Sequence, residues 1–284
     1  MVPAYRNLAS GVSRRTLLGA AAALPGGIAV STAFADAATA PQGQLSSFKC
    51  TQFIRCAPSL RSDALVDHWR EQRAPLLRRL PGLNGLTFNR VDRRRSPDAP
   101  YDAVVELWFA SAAAYRHAVD GADPDLIAAL AADRPKFMQD DFLGIFSREI
   151  VVRPVPPQAG RRRAKRIGLV GRQPGMNRDT FFHDWIHRHA PEADAQPGLE
   201  GYVLNLREQD RFLDSPWDGY AELWWPDWDA FEHASLAIRG TVGGRLGFFH
   251  SHLLLYLEEH EDVVPPGRAQ RPLTPGPDVP PPAG

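Results

Sequence analysis

The sequence predicts an α+β fold in which two βαββαβ units of one chain pack sheet against sheet. Three observations support this prediction. The length of 284 residues suits two small domains. Residues recur at a constant separation of 116 positions, and the apolar pattern changes along the chain between the periods of strands and helices. A hydrophobic content of 44% with 23% charged residues is typical of globular proteins and excludes wholesale disorder.

The repeat aligns two copies of one unit without a gap from Lys49 to His117, which correspond to Lys165 and His233. Paired residues include Trp69 and Trp185, Ala74-Pro75 and Ala190-Pro191, Asn89 and Asn205, Glu106 and Glu222, and Trp108 and Trp224. Near the end the separation falls to about 110, where Glu149 corresponds to Glu259. We call residues 49–152 the first copy and residues 165–262 the second copy.

Each copy contains the six elements in the same order. The first strand is predicted at 49–55 and 166–171, and a helix follows at 63–80 and 177–189. Asn177 is a typical N-cap residue, and the Pro-Gly pairs at 81–82 and 197–198 end the helical segments. The remaining elements are strands at 83–91 and 199–207, strands at 102–109 and 219–225, helices at 112–119 and 228–238, and last strands at 142–152 and 252–259. This order is that of a ferredoxin-like unit.

A single ferredoxin-like sheet leaves one apolar face uncovered. Two such sheets in one chain cover each other when they close into a barrel, because the exposed apolar surface is then removed from water. The fold class predicted is therefore an intrachain dimeric α/β barrel.

The segments outside the two copies differ from them in composition. Residues 1–35 contain Arg14-Arg15, an alanine-rich apolar run and the site Ala33-Phe34-Ala35, which together resemble a twin-arginine signal peptide. We expect export by the twin-arginine translocase, cleavage, and a periplasmic or extracellular protein without stable membrane insertion. A transmembrane anchor is the alternative. Residues 153–164 are predicted to form a Pro/Arg linker, and residues 263–284 a Pro-rich disordered tail.

Charge and cysteine content exclude several classes of function. Lys+Arg and Asp+Glu number 33 each, so no basic excess predicts a nucleic-acid partner. Cys50 and Cys56 are the two cysteines, too few for a four-cysteine zinc site. On one extended segment they lie about 20 Å apart, so we expect separate buried thiols.

Three stretches of the second copy resemble a known family. Residues 181–191 match the helix pattern F-x-x-x-W-x-x-x-H-A-P, residues 197–205 match P-G-L-x-x-Y-x-x-N, and Glu222-Leu223-Trp224 begins a strand of the E-L-W-F type. These patterns are similar to those of the EthD domain family, and the resemblance covers both copies. It implies the dimeric α/β-barrel fold. The family includes proteins linked to ether degradation and aromatic polyketide tailoring.

Alternation along the third strand of each copy predicts which residues face the barrel lumen. Leu223 and Trp225 are expected under the helices, whereas Glu222 faces the lumen among aromatic residues. Burying a carboxylate is costly unless it is paired or functional. Glu222 is therefore either a general acid or base with a raised pKa, or a structural residue bound to amides or to an arginine. The residues expected to bind substrate are Trp185, Tyr202, Asn205, Tyr220, Trp224, Glu106 and Trp108.

His189 is the second candidate catalytic residue. It continues the stripe of Phe181 and Trp185 at helical spacing, and the first copy has Arg73 in its place. We expect His189 to face the interior within reach of the lumen and to move a proton near neutral pH. The alternative is a structural histidine at the helix end.

The other histidines predict no metal site. His183 and His187 are spaced four residues apart, as in some metal sites, but have no third ligand nearby and are predicted to be solvated. A cofactor is not expected. Haem is the alternative, with a ligand among His117, His233, His250 and His252.

Two hypotheses for the function remain open. The first is an exported enzyme of the oxidoreductase/oxygenase or lyase/cyclase type that acts on a small hydrophobic or aromatic molecule in the lumen, as a monomer or weak homodimer. The second is a protein that binds such a ligand without catalysis.

Overall fold

The computed structural model describes residues 48–60, 62–156, 163–208, 215–237 and 249–265. The predicted signal peptide, half of the predicted linker (residues 157–162) and the tail beyond residue 265 lie outside these residues. Within these ranges no helix is long and apolar enough to cross a membrane.

Eight antiparallel strands form a closed barrel, four from each copy. They are β1 (Phe48–Ile54), β2 (Gly85–Val91), β3 (Ala103–Phe109), β4 (Leu143–Arg153), β5 (Ala164–Arg172), β6 (Gly201–Arg207), β7 (Gly219–Trp225) and β8 (Phe249–Val263). The order around the barrel is β1-β3-β2-β8-β5-β7-β6-β4. The copies meet where β2 pairs with β8 and where β4 pairs with β6. The predicted fold class is confirmed.

Helices occur in both copies outside the barrel. The first copy has α1 (Ser62–His68), α2 (Ala74–Leu77), α3 (Ala112–Asp120) and α4 (Pro124–Phe137), and the second has α5 (Arg178–Asp184), α6 (Ala190–Asp194) and α7 (Trp228–Ala237). The Asn177 side chain caps α5 by accepting hydrogen bonds from the backbone N–H groups of Asp179 and Thr180. The predicted N-cap is therefore confirmed.

The first helix of each copy contains a wider π-helical turn that the sequence analysis did not predict. The turns are Trp69–Arg73 and Trp185–His189, and each begins at the repeated tryptophan. The next residue but one after each turn is a proline, Pro75 or Pro191. Proline lacks the N–H that an α-helix directs to residue i−4, so the widened turn accommodates it within a continuous helix.

The copies differ in their last third, where the repeat separation changes. The first copy has the additional helix α4, which was not predicted as a separate element. In the second copy β8 begins at Phe249, three residues before the predicted start. The Phe249 ring packs against Trp185 and His189, with ring centroids 6.1 and 5.1 Å apart. The residues between α7 and β8 lie outside the described ranges.

Alternation separates a core under the helices from the lumen. Val105, Leu107 and Phe109 belong to the first helix-side core, and Leu223 and Trp225 to the second, as predicted. Both cysteines are free. Cys50 is buried, but Cys56 is only partly buried, which corrects the prediction of two buried thiols.

Candidate functional site

Lys49 and Lys165, which occupy corresponding positions of the repeat, lie at the centre of the lumen. Nζ of Lys49 lies 3.0 Å from Oε1 of Glu106 and 2.5 Å from Oε2 of Glu222. Nζ of Lys165 lies 2.9 Å from Oε2 of Glu106 and 2.8 Å from Oε1 of Glu222. All four side chains are at most 1% exposed. The predicted lumen position of Glu222 and Glu106 is thus confirmed, and each carboxylate lies between two ammonium groups.

Each lysine also contacts a carboxylate of the last strand in its own copy. Lys49 Nζ lies 2.8 Å from Oε1 of Glu149 on β4, and Lys165 Nζ lies 2.7 Å from Oε2 of Glu259 on β8. A third cation, Arg163, lies 3.3 Å from Glu259. Glu149 and Glu259 correspond in the repeat, but the sequence alone predicts no role for either.

Trp108 and Trp224, two of the residues expected to bind substrate, contact the lysines and glutamates of this charged layer. Lys49 Nζ lies 4.5 Å from a ring centroid of Trp108, and Lys165 Nζ lies 4.9 Å from one of Trp224. The indole N–H of Trp108 donates to Glu149 at 2.8 Å, and that of Trp224 donates to Glu259 at 3.3 Å. The register explains this symmetry, because Lys49 is opposite Trp108 and Lys165 is opposite Trp224. Cation–π attraction to each ring therefore stabilises the charged form of the nearby lysine.

Among the residues that the structure describes, the charges of this layer balance when one carboxyl group is protonated. The cations are Lys49, Lys165 and Arg163, and the carboxyl groups are Glu106, Glu149, Glu222 and Glu259. An uncompensated buried charge is strongly unfavourable, so the fourth carboxyl group is expected to retain a proton.

Glu222 is the group best suited to hold this proton. Burial and the negative charge of Glu106 raise the pKa of Glu222 against the opposing effect of the lysines. Burial would also raise the pKa of Glu106, but the charges of Lys165 and Lys49 outweigh it, and the pKa of Glu106 is lowered. Burial lowers and the surrounding carboxylates raise the pKa of Lys49, with a net rise, so Lys49 stays charged. The pair can therefore release or accept a proton at Glu222.

An apolar layer lies directly beside the charges. Its buried residues are Phe53, Val91, Val104, Ile145, Ile167, Leu169, Trp217, Tyr220, Leu255 and Leu257. The Tyr220 ring packs edge to face on Phe53. Burial raises the pKa of the Tyr220 hydroxyl well above its usual value, so it remains a neutral donor. Of the residues expected to bind substrate, Asn205, Tyr220, Trp224, Glu106 and Trp108 lie in the lumen.

His189 lies on the other side of the sheet, and the expectation that it reaches the lumen is wrong. Its ring packs on Phe249, and it is close enough to Arg166 for that charge to act on it. Arg166 follows Lys165 on β5 and points to the helix side, where its guanidinium lies over Trp225. The stripe on the helix is buried, as predicted, but it faces the helix-side core. His189 and Glu222 therefore do not form one site.

Two of the residues expected to bind substrate also lie outside the lumen. Trp185 and Tyr202 belong to the helix-side core of the second copy, at most 1% exposed. In the first copy, Arg73 occupies the place of His189 and donates hydrogen bonds to the Leu130 carbonyl and to Asp133, at 2.9 and 3.3 Å. Neither copy directs this position into the lumen.

His189 gives the protein an acid-sensitive core. Burial, followed by the positive charge of Arg166, lowers the pKa of His189 from 6.5 to about 4. The unfolded chain binds this proton near pH 6.5, so stability is lost as the pH falls from 6.5 towards 4. The loss is expected to reach about 3 kcal/mol at this site. Urea unfolding at pH 7, 5.5 and 4.5 should show a shallower pH dependence for His189→Gln than for the wild type. Parallel curves would contradict this assignment.

The described residues of the lumen do not fit a haem. Haem iron takes an axial His, Cys, Met or Tyr ligand. His117, His233, His250 and His252 are exposed, and the Tyr220 hydroxyl already contacts Thr51 and Glu106. Within the described ranges no group of three His, Cys, Asp or Glu residues could hold a metal ion. His183 and His187 belong to no such group, although their ring centroids lie 4.8 Å apart, and His187 is exposed.

Comparisons with known proteins agree with the fold. Residues 57–141, within the first copy, match the model of the EthD domain. No curated protein matches the sequence. A putative monooxygenase from Fusobacterium nucleatum subsp. nucleatum is 9% identical with a TM-score of 0.53, and covers 81% of this chain and 99% of its own. An anthrone oxidase-like protein is 11% identical with a TM-score of 0.52, over 82% of this chain and 98% of its own.

A third solved structure is more distant. The chlorite dismutase from Candidatus Nitrospira defluvii in complex with imidazole is 10% identical with a TM-score of 0.46, over 75% of this chain and 91% of its own. At these identities the putative monooxygenase and the anthrone oxidase-like protein support the fold of the chain, a dimeric α/β barrel, and leave its chemistry to the residues of the site.

Proposed function

We propose that the protein is an oxidoreductase of the oxygenase type that acts on a small aromatic molecule in the barrel lumen. The observation that carries the proposal is the buried Glu106–Glu222 pair, in which Glu222 has a raised pKa beside an apolar and aromatic layer. Perturbed carboxyl groups of this kind are typical of acid–base sites. Similarity in fold to an anthrone oxidase-like protein and a putative monooxygenase supports the same class.

The chemistry follows from the charges. Once Glu222 has released its own proton, its carboxylate would remove a proton from an activated C–H bond of the substrate, and its raised pKa makes it a stronger base than an ordinary carboxylate. Lys49 and Lys165 would stabilise the resulting anion. The electrons would pass to O2, so that a CH2 group and O2 yield a carbonyl group and water. This balance needs no bound cofactor.

Binding without catalysis is the second candidate function. It is favoured by the pairing of the four glutamates with cations of the same layer, which would also stabilise an inert barrel. A ligand in the apolar layer would then be held but not altered. The two functions differ in whether O2 is consumed.

The experiment is oxygen consumption by the purified protein with a panel of anthrone-type and phenolic molecules. Oxygenase function predicts one O2 consumed for each carbonyl product formed, in protein without a visible absorption band. Saturable quenching of tryptophan fluorescence without O2 uptake would instead support binding alone. A Soret band that accompanies the activity would contradict the cofactor-independent reaction.

We also propose that the protein is exported by the twin-arginine translocase. The proposal rests on Arg14-Arg15, the alanine-rich run and the A-x-A site. Replacing both arginines with lysine is expected to leave unprocessed protein in the cytoplasm, measured by fractionation and by the mass of the N-terminal peptide. Unchanged secretion of the double variant would refute this route.

A further inference from the structure

The two central carboxyl groups have unequal hydrogen-bond partners, although the repeat makes their surroundings nearly alike. Asn89 donates to Oε2 of Glu106 at 2.9 Å, and Asn205 donates to Oε2 of Glu222 at the same distance. Glu106 also accepts a hydrogen bond from Thr87 at 3.1 Å. Its other oxygen lies 3.4 Å from the Tyr220 hydroxyl, which can donate to it. Among the described residues, neither hydroxyl group has a counterpart at Glu222.

The difference comes from three substitutions between the copies. Thr87 is opposite Glu106 in the β2–β3 register, and Val203 is opposite Glu222 in the β6–β7 register. Tyr220 corresponds to Val104 in the first copy. Thr51, whose hydroxyl oxygen lies 2.5 Å from that of Tyr220, corresponds to Ile167 in the second copy. Hydroxyl groups therefore surround Glu106, while valine and isoleucine occupy the matching places around Glu222.

Hydrogen bonds to a carboxylate favour its ionised form. Both carboxyl groups contact the same two lysines, but Lys49 donates a hydrogen bond to each of them, whereas Lys165 donates one to Glu106 and only forms an ion pair with Glu222. The other charged and titratable groups facing the pair are Glu149 on β4, Arg163 before β5, Tyr220 on β7 and Glu259 on β8; β2 and β6 contribute the neutral Asn89 and Asn205. The two hydroxyl groups thus add to an asymmetry in hydrogen bonding to which Lys165 also contributes.

We propose that Thr87 and Tyr220, supported by Thr51, are positioning residues that keep Glu106 ionised and direct the shared proton to Glu222. The second copy is then the working half of the barrel, and the first copy supplies its fixed negative charge. This inference deepens the proposed function, whose carboxyl pair it uses, but it depends on no substrate.

The test moves the threonine hydroxyl from the first copy to the second and removes the hydroxyl of Tyr220. In the wild-type background, Glu222→Gln keeps a neutral side chain where the proton resides, whereas Glu106→Gln forces Glu222 to ionise without hydroxyl donors. The unfolding equilibrium constant of Glu106→Gln is therefore expected to exceed that of Glu222→Gln by about tenfold to a hundredfold. In the background Thr87→Val/Val203→Thr/Tyr220→Phe, the order of the two variants is expected to reverse. An unchanged order in both backgrounds would overturn the proposal.

A second measurement does not require either glutamine variant to be stable. Carbon NMR of protein labelled at the glutamate carboxyl carbons reports which of the two groups is protonated, with assignment by selective labelling. The protonated resonance is expected to be that of Glu222 in the wild type and of Glu106 in the exchanged background. Thr180→Val on α5 is the matched control and should leave both resonances unchanged. Protonation that remains on Glu222 after the exchange would contradict the role of the hydroxyl groups.

The outcomes separate this inference from the proposed function. If the proton moves as expected but no aromatic molecule supports O2 uptake, the positioning role stands and the oxygenase reaction fails. If O2 uptake depends on Glu222 but the proton does not move, the reaction stands and the positioning role fails.

Discussion

Lys49→Met is expected to lower the free energy of unfolding by about 3–5 kcal/mol, the usual cost of removing one partner of a buried ion pair. Lys49 lies within 3.0 Å of Glu106, Glu149 and Glu222. Methionine preserves most of the apolar volume, but it leaves the carboxyl groups with one cation fewer. Chemical denaturation at pH 7 measures the loss. Lys136→Met on the exposed end of α4 is the matched control and should change stability by less than about 0.5 kcal/mol.

A second substitution shows whether charge causes this loss. Adding Glu149→Gln to Lys49→Met removes the negative charge of a carboxylate that has lost its lysine contact, so the double variant is expected to be more stable than Lys49→Met alone. The coupling between neighbouring groups of one network typically reaches about 0.5–3 kcal/mol. Strictly additive effects would show that the ion pair between Lys49 and Glu149 does not account for the loss.

The fold could be predicted from the sequence because the repeat supplies long-range information. Alignment of Lys49 with Lys165 and of His117 with His233 shows that both halves adopt one structure. One half alone would leave a sheet face exposed, which is why a closed barrel follows from two halves. Alternation on β3 and β7 also placed Glu106 and Glu222 correctly in the lumen. A period of two assigns faces reliably once the strand is known.

The partners of these glutamates could not be predicted in the same way. Contacts of Lys49 with Glu222 and of Tyr220 with Glu106 cross between the copies, and no local pattern specifies a contact across a barrel. One signal was available. The chain has only three lysines, and two of them, Lys49 and Lys165, occupy corresponding positions in apolar strands. In a protein whose basic residues are mostly arginine, lysines at corresponding positions of a repeat indicate a specific role inside the barrel.

The error at His189 has a different origin. Spacing along a helix identifies a buried stripe but does not say which layer covers it. In this fold the helices lie outside the barrel, so their buried faces meet the outer side of the sheet. His189 accordingly packs on Phe249. A barrel prediction already implies this placement, because the lumen is lined by strand residues of the inward parity.

Glu222→Gln is expected to lower O2 uptake by about 10²–10⁴-fold, the usual contribution of a positioned base. Glutamine closely matches the shape of the protonated glutamate, so the variant should fold and keep its affinity for aromatic ligands. Its effect should therefore fall on kcat and leave ligand binding, measured by fluorescence quenching, nearly unchanged. His189→Gln is the matched control at a buried group outside the lumen, and its activity at pH 7 should equal that of the wild type.

The pH dependence of activity distinguishes a base from a structural carboxyl group. The pKa of Glu222 is raised by burial and by Glu106, so a growing fraction of the wild type carries the ionised base as the pH rises through that pKa. Wild-type activity should accordingly increase with pH along a limb that begins above the usual glutamate range of about 4.3. The residual activity of Glu222→Gln should lack this limb, because an amide does not titrate. A Glu222→Gln enzyme that retained both its rate and the limb would exclude Glu222 as the base, and would leave the charged layer as a structural device that closes the barrel.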